Sequence, residues 1–269
     1  KRGIKTINNF FNKRTSDEIK KKYGEIDFIT SHNVLAHTEN IEEIFNSIFD
    51  ILKINGYFCF EIGYFKSVLH KNYFDTVYHE HLDYHHALPL VKFLNSLGFS
   101  IENLSTNNIQ GGSLRILAKK RSKIKKNSTS INNFLKNEKI FFKKNDIKKQ
   151  FIKFDNSMQK LFEMVKKIKY DKNLIYAYGS PTKASLLMIS SKLNKGFIEN
   201  TFEDNSLKCE KYIPGTDVKI ISSKNIDLIK PKYILVLAWN FTKEIELKLK
   251  NNKNYNINLI IPLPKPKII

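Results

Sequence analysis

The chain reads as an α/β protein in which two parallel-sheet units are joined by a lysine-rich helical stretch. Three observations predict this. A buried strand, an amphipathic helix and a second strand follow one another within residues 26–62, at the spacing of a parallel βαβ unit. A second apolar strand at 174–178 breaks at Gly179-Ser180-Pro181 into a helix. Between the two, residues 119–172 contain no Gly or Pro, and their apolar side chains keep a helical period.

Taken in order, 26–30 (Ile-Asp-Phe-Ile-Thr) is a short strand and Asn33 to His37 a loop. Ile41, Ile44, Phe45, Ile48, Ile51 and Leu52 then share one helical face, with Asn40 as the cap and Gly56 as the expected stop. Residues 57–62 are the next strand and 88–97 an amphipathic helix ending at Gly98. Strands at 99–104 and 113–118 close the sheet. Helices are expected at 130–143 and 146–168, packing onto the units they connect. The second unit then alternates: strands at 174–178, 197–202, 218–221, 233–238 and 259–262, with helices at 183–191, around 223–229 and at 242–249. The organisation is thus 1–120, a helical connector at 121–170, and 171–269.

At 269 residues the chain can bury a large core, and 41% apolar residues is ordinary for a globular protein. No apolar run reaches the roughly 18 residues that cross a bilayer, so no membrane association is expected. The start, Lys1-Arg2-Gly3-Ile4, has neither a secretory nor a transit signature. Cys59 and Cys209 are the only cysteines, which suits a reduced cytoplasm and leaves no cysteine set for structural zinc within this chain. A net charge of +20 invites a nucleic-acid reading, but only Arg2, Arg14, Arg115 and Arg121 among 46 basic residues are arginines. Readers of bases and phosphates lean on arginine forks. The lysine excess is that of a solvated coat able to help capture an anionic small substrate, and no nucleic-acid partner is expected.

The chemistry concentrates in Tyr78-His79-Glu80-His81, followed by Leu82, Asp83, Tyr84, His85 and His86. Four of the seven histidines fall between 79 and 86. Imidazole titrates near neutral pH, and a neighbouring carboxylate or phenol tunes it, so the block suits acid-base catalysis. A metal site would need a third ligand beyond His79 and His81, and none is evident; a surface run is the plain alternative. Asn33 can equally turn the chain, and Gly111-Gly112 can be only a tight turn. Gly179 to Lys183 follows a strand and opens a helix, either as a phosphate cradle or as punctuation.

Together, Asn33-Val34-Leu35-Ala36-His37, Phe74-Asp75-Thr76-Val77-Tyr78-His79-Glu80-His81, Gly111-Gly112-Ser113-Leu114-Arg115, Tyr178-Gly179-Ser180-Pro181-Thr182-Lys183 and Tyr212-Ile213-Pro214-Gly215-Thr216 carry a resemblance. In order and spacing the chain resembles the SAM-dependent sugar C-methyltransferases, which methylate carbon 3 of a nucleotide-linked 4-keto-deoxysugar. The Tyr-His-Glu-His block is the specific part, and the likeness spans nearly the whole chain. It implies a truncated class I (Rossmann-like) methyltransferase domain, a helical connector and a second Rossmann-like α/β domain assisting nucleotide-sugar binding. It also implies S-adenosyl-L-methionine as cofactor, with zinc confined to an amino-terminal module absent from this chain.

By the same resemblance, His81 is the base that removes the proton beside the ketone, with Glu80 orienting it or sharing the role and His79 in reserve. Tyr78 and His37 position the sugar or stabilise the enolate. Asn33, Val34 and Leu35 are what remains of the cofactor site, and Gly179, Ser180, Lys183 and Arg115 face the nucleotide sugar. The family's glycine-rich SAM loop is not found, and Lys1 to Phe11 is expected to be the end of a helix and the third strand of the methyltransferase sheet. Rival readings are an O- or N-methyltransferase on this scaffold, or a nucleotide-sugar-binding module that has lost SAM binding.

Overall fold

The computed structural model describes residues 3–250 and 256–269. The chain forms two compact units, Lys1–Ser67 with His79–Lys144, and Val68–Tyr78 with Asn145–Ile269.

In the first unit, α1 (Lys13–Tyr23), β1 (Ile26–His32), α2 (Ile41–Ile51) and β2 (Leu52–Gly63) come first; α3 (Phe65–Lys71) then carries the chain out of the unit. After its return follow α4 (Ala87–Ser96), β3 (Phe99–Asn107), β4 (Ser113–Lys120) and α5 (Thr129–Lys144). The sheet order is β1-β2-β4-β3, with β1 and β2 parallel and the two remaining pairings antiparallel. The βαβ unit and the closing hairpin are those expected from the sequence. Asn40 caps α2, its side chain accepting from the Glu43 amide at 3.1 Å. The helix buries Phe45, Ile48 and Ile51, and Phe45 lies 5.6 Å from Phe58 and 5.4 Å from Phe60 on β2.

Two expectations are corrected. The helix stops at Ile51 rather than at Gly56. Gly56 sits in an irregularity of β2 opposite β1, where a Cβ would come within 2.9 Å of the Lys53 carbonyl oxygen, so glycine is required for close backbone approach rather than for a helix end. Of the segment expected to hold a helix end and a third strand, Lys1 and Arg2 lie outside the described residues, and 3–12 form neither strand nor helix. An extended segment with no neighbouring strand has no ladder to satisfy its backbone. The first element is instead α1, capped by Asn12.

In the second unit, α6 (Ile147–Tyr170) starts at the Asp146 cap. It leads into β5 (Ile175–Tyr178), α7 (Ala184–Ser190), β6 (Asn200–Glu203), β7 (Tyr212–Ile213), β8 (Val218–Ser222), α8 (Ile226–Ile229), β9 (Tyr233–Val236), α9 (Thr242–Lys250), β10 (Asn258–Ile261) and β11 (Lys267–Ile268). The sheet runs β11-β10-β9-β5-β6-β8-β7, parallel through its five central strands and antiparallel at both edges. From β5 the chain builds outward to β6 and β8, then returns to β9 on the other side. That reversal makes the carboxyl ends of β5 and β9 the topological switch point of a doubly wound sheet. The strap Val68–Tyr78, although it lies early in the sequence, belongs to this unit: Phe74 is buried with its ring 4.3 Å from Phe151 and 5.8 Å from Phe154 of α6.

Candidate active site

At the carboxyl ends of β1 and β2 the first unit gathers most of its expected residues. Asn33 turns the chain in the left-handed region at φ 52°, its amide donating to the Glu61 carbonyl at 2.9 Å. Asparagine tolerates that backbone better than most side chains. The turn exposes Val34 and buries Leu35, whose short 3-10 turn presents His37 at the surface. His37 Nδ1 donates to the Glu80 carbonyl oxygen at 2.7 Å, and the Leu82 amide donates to the Ala36 carbonyl at 2.8 Å. These two bonds bring the histidine block onto the loop, so the His37 and His81 rings lie 4.9 Å apart. His79 and Glu80 are exposed, whereas Tyr78 is half-buried and belongs to the strap of the second unit.

The four clustered histidines therefore separate by role. His81 joins His37. His85 is half-buried and pairs its backbone with Tyr64, and burial lowers its pKa, favouring the neutral ring. His86 turns to Glu138.

Glu138 is fully buried on α5 and was not singled out from the sequence. It accepts from the Tyr64 hydroxyl at 2.8 Å, His86 Nδ1 at 2.9 Å, and the Ala87 and Leu88 amides at 2.7 and 2.8 Å. Burial pushes its carboxyl up, but the bonds from His86, the two amides and Tyr64 outweigh that and hold its pKa below the usual range. The same burial, beside the carboxylate, raises the Tyr64 phenol. A carboxylate on the first turn of α4 also suits the positive end of that helix. Its spacing from Phe134, Leu135 and Phe142 on the apolar face of a helix was the available signal.

Arg115 stands opposite Glu61 across β2 and β4. Its Nε donates to Glu61 at 2.6 Å, its Nη2 to the same oxygen, and Asn107 adds a bond at 2.9 Å. Burial pushes the Glu61 carboxyl up; the guanidinium more than cancels it and leaves the pKa low. The arginine side chain is about half exposed.

A cavity of about 890 Å³ opens beside β1, lined by Ile29, Thr30, Ser31, Val34, Leu35 and His37 among others. Its size is that of a small-molecule site. The apolar Ile29, Val34 and Leu35 with the polar Thr30 and Ser31 form walls able to take the adenosine and amino-acid parts of S-adenosyl-L-methionine, and Val34 and Leu35 are two of the three residues expected there. Among the described residues no group of histidine, cysteine or acidic side chains has the arrangement of a metal site.

In the second unit the turn after β5 lies at the switch point. Gly179 has φ 86°, and a Cβ there would sit 2.7 Å from the Ala238 Cβ, so no other residue fits. The Ser180 amide and hydroxyl both donate to Glu203, at 3.0 and 2.5 Å. Lys183 is largely buried; its ammonium lies 3.3 Å from Asp75, donates to Asn240 at 3.0 Å and sits 3.8 Å from the centre of the Trp239 ring. A second cavity of about 360 Å³ is lined by Tyr178, Gly179, Ser180, Glu203, Asp204 and Lys248 among others.

Residues 1–104 match a family described as methyltransferase domain, and residues 108–264 match the C-methyltransferase C-terminal domain. The C-methyltransferase NovU of Streptomyces niveus is 27% identical over 246 residues, covering 91% of this chain and 59% of that protein. The chain thus spans about three-fifths of that relative's length. Among solved structures, a SAM-dependent methyltransferase from Methanosarcina mazei is 18% identical, with a TM-score of 0.27 over 36% of this chain and 60% of that one. Magnesium protoporphyrin IX methyltransferase from Synechocystis PCC 6803 is 15% identical, with a TM-score of 0.29 over 36% and 46%. With the match at 108–264 covering more than half of its length, the chain belongs to the C-methyltransferase C-terminal domain family.

Proposed function

We propose that the chain is the sugar-methylating part of a cytoplasmic SAM-dependent C-methyltransferase acting on a nucleotide-activated keto-deoxysugar. The observation that carries this reading is the pairing of His37 and His81, 4.9 Å apart at the carboxyl ends of two parallel strands. Carbon methylation beside a ketone needs a base for the acidic proton and a donor for the enolate oxygen. His81 is the base. Glu80 is tied to His37 through its own carbonyl, which fixes the backbone next to His81 and leaves the Glu80 carboxylate to orient or share the proton, with His79 beside it. His37 holds its Nδ1 proton toward Glu80, so the other nitrogen of its neutral ring is an acceptor that can position a sugar hydroxyl, and the Tyr78 phenol is the donor proposed for the enolate oxygen. S-adenosyl-L-methionine supplies an electrophilic methyl group; Val34 and Leu35 form its wall, and Asn33 makes the turn that presents them.

The substrate roles of Arg115 in the first unit and of Gly179, Ser180 and Lys183 in the second belong to the same proposal. Both cations are ion-paired, Arg115 with Glu61 and Lys183 with Asp75, so each is held in a fixed orientation. Two free cysteines agree with a reducing compartment, and no helix among the described residues is long and apolar enough to cross a membrane.

The test is solvent deuterium exchange at carbon 3 of a nucleotide-linked 4-keto-deoxysugar, followed without methyl transfer. His81→Asn should slow exchange and turnover by about a hundred- to ten-thousandfold while leaving cofactor affinity nearly unchanged, because the proton moves only in the chemical step. Undiminished exchange would take the role from His81 and pass it to Glu80 or His79.

A further inference from the structure

The sequence holds 46 lysines and arginines, yet among the described residues none of them lines the cavity of about 890 Å³ beside β1. The titratable side chains of its walls are His32, His37, Glu39 and Glu43. Two of the four are engaged. His37 donates from Nδ1 to the Glu80 carbonyl at 2.7 Å, and Glu43 accepts from the Lys13 amide at 3.1 Å and from Asn40 Nδ2 at 3.4 Å. His32 and Glu39 are left to face a ligand. His32 ends β1, where the strands of α/β sheets meet their ligands. Its Nδ1 lies 3.6 Å from Glu61, and the Glu61 carbonyl also accepts the Asn33 amide at 2.9 Å, so one buried residue fixes both the ring and the turn after it. The His32 side chain stays about half exposed, and with Nδ1 turned to Glu61 its Nε2 is the nitrogen open to a ligand. An imidazole set between two carboxylates holds both its protons, so an anion on that side meets a donor. Glu39 is exposed, between the short turn that carries His37 and the Asn40 cap of α2.

The amino-acid part of S-adenosyl-L-methionine carries a carboxylate and an ammonium on one carbon, beside a sulfonium, whereas the diphosphate of a nucleotide sugar carries only negative charge. We infer that His32 and Glu39 select the methyl donor by charge, His32 taking the carboxylate of its amino-acid part and Glu39 the ammonium. The two glutamates, with no lysine or arginine among the described lining residues, suit a ligand of net positive charge and repel a diphosphate. The same groups that hold the donor therefore keep the nucleotide sugar out of its cavity. The inference rests on the placement of the donor against Val34 and Leu35 proposed above, and not on which residue is the base.

Three thioethers test this by titration calorimetry, without turnover. S-adenosyl-L-homocysteine has both charges, its decarboxylated form has the ammonium alone, and methylthioadenosine has neither. The wild type is expected to bind the first most tightly. His32→Gln should weaken the first about tenfold, the worth of one charged hydrogen bond at a half-exposed site, and leave the other two unchanged. Glu39→Gln should weaken the first two alike and spare the third. Both side chains stand at the surface, so neither change opens the core, and an unaltered affinity for methylthioadenosine shows that the cavity is intact. A variant that binds all three as the wild type does would overturn the role of that residue. So would a loss of affinity that extends to methylthioadenosine, which marks a structural effect rather than recognition of charge. A wild type that binds none of the three would remove the donor from this cavity, and the inference with it, while the deuterium-exchange test of His81 stands apart.

Discussion

At the scale of single residues the site is organised by buried carboxylates. Glu138 gathers four donors at the start of α4, two on each carboxylate oxygen, so an amide in its place strands two of them. Glu138→Gln turns an acceptor oxygen into a donor facing other donors, and should destabilise the protein by about 3 kcal/mol near neutral pH. The pH dependence follows from the sign of its shift. A carboxylate with a depressed native pKa contributes stability above its unfolded value, and that contribution disappears as pH falls through the native value. The gap between the urea midpoints of wild type and Glu138→Gln should therefore be full at pH 7 and shrink below the ordinary carboxylate range. A gap independent of pH would show that the side chain acts by volume alone.

Among elements, α2 was legible because one face repeats Ile44, Phe45, Ile48 and Ile51 behind a cap that only a short polar side chain can supply. Asn40→Ala should cost about 1 kcal/mol, read as a lower thermal midpoint with an unchanged circular dichroism spectrum. α1 gave no such signal. Its buried residues are Thr15 and Ser16, and Ser16 donates to the Ser47 carbonyl of α2 at 3.0 Å, so small polar groups do the packing. The histidine block was legible as chemistry because its members adjoin in sequence. Its approach to His37 was expected from the rule that ligands gather at strand carboxyl ends. Glu61, Asp75 and Glu138 stayed hidden because each meets its partners far along the chain, and a carboxylate in a sequence does not disclose whether folding will bury it.

For the whole molecule, the path of the chain matters more than its charge. The chain leaves the first unit at Ser67, returns at His79 and leaves again after Lys144. The fragment 145–269 alone lacks the strap, so Phe151 and Phe154 lose Phe74, and Trp239 and Lys183 lose Asp75. It should melt below the intact chain, and a synthetic peptide of residues 68–78 should raise its midpoint by binding the folded form. An unchanged melting curve with the peptide in excess would show that the strap contributes nothing to that unit.

The hairpin of β3 and β4 ties the two matched portions to each other. The methyltransferase match ends at 104 and the C-terminal-domain match begins at 108, both inside that hairpin, yet β4 lies between β2 and β3 in the first sheet. The portion that matches the C-terminal-domain family therefore brings the strand that completes the first sheet, and the portion that matches the methyltransferase family brings the strap that the second unit buries. Cutting the chain between the two matches would leave an open sheet on one side and Phe151 and Phe154 without Phe74 on the other, so pieces 1–104 and 108–269 made separately are each expected to be unstable.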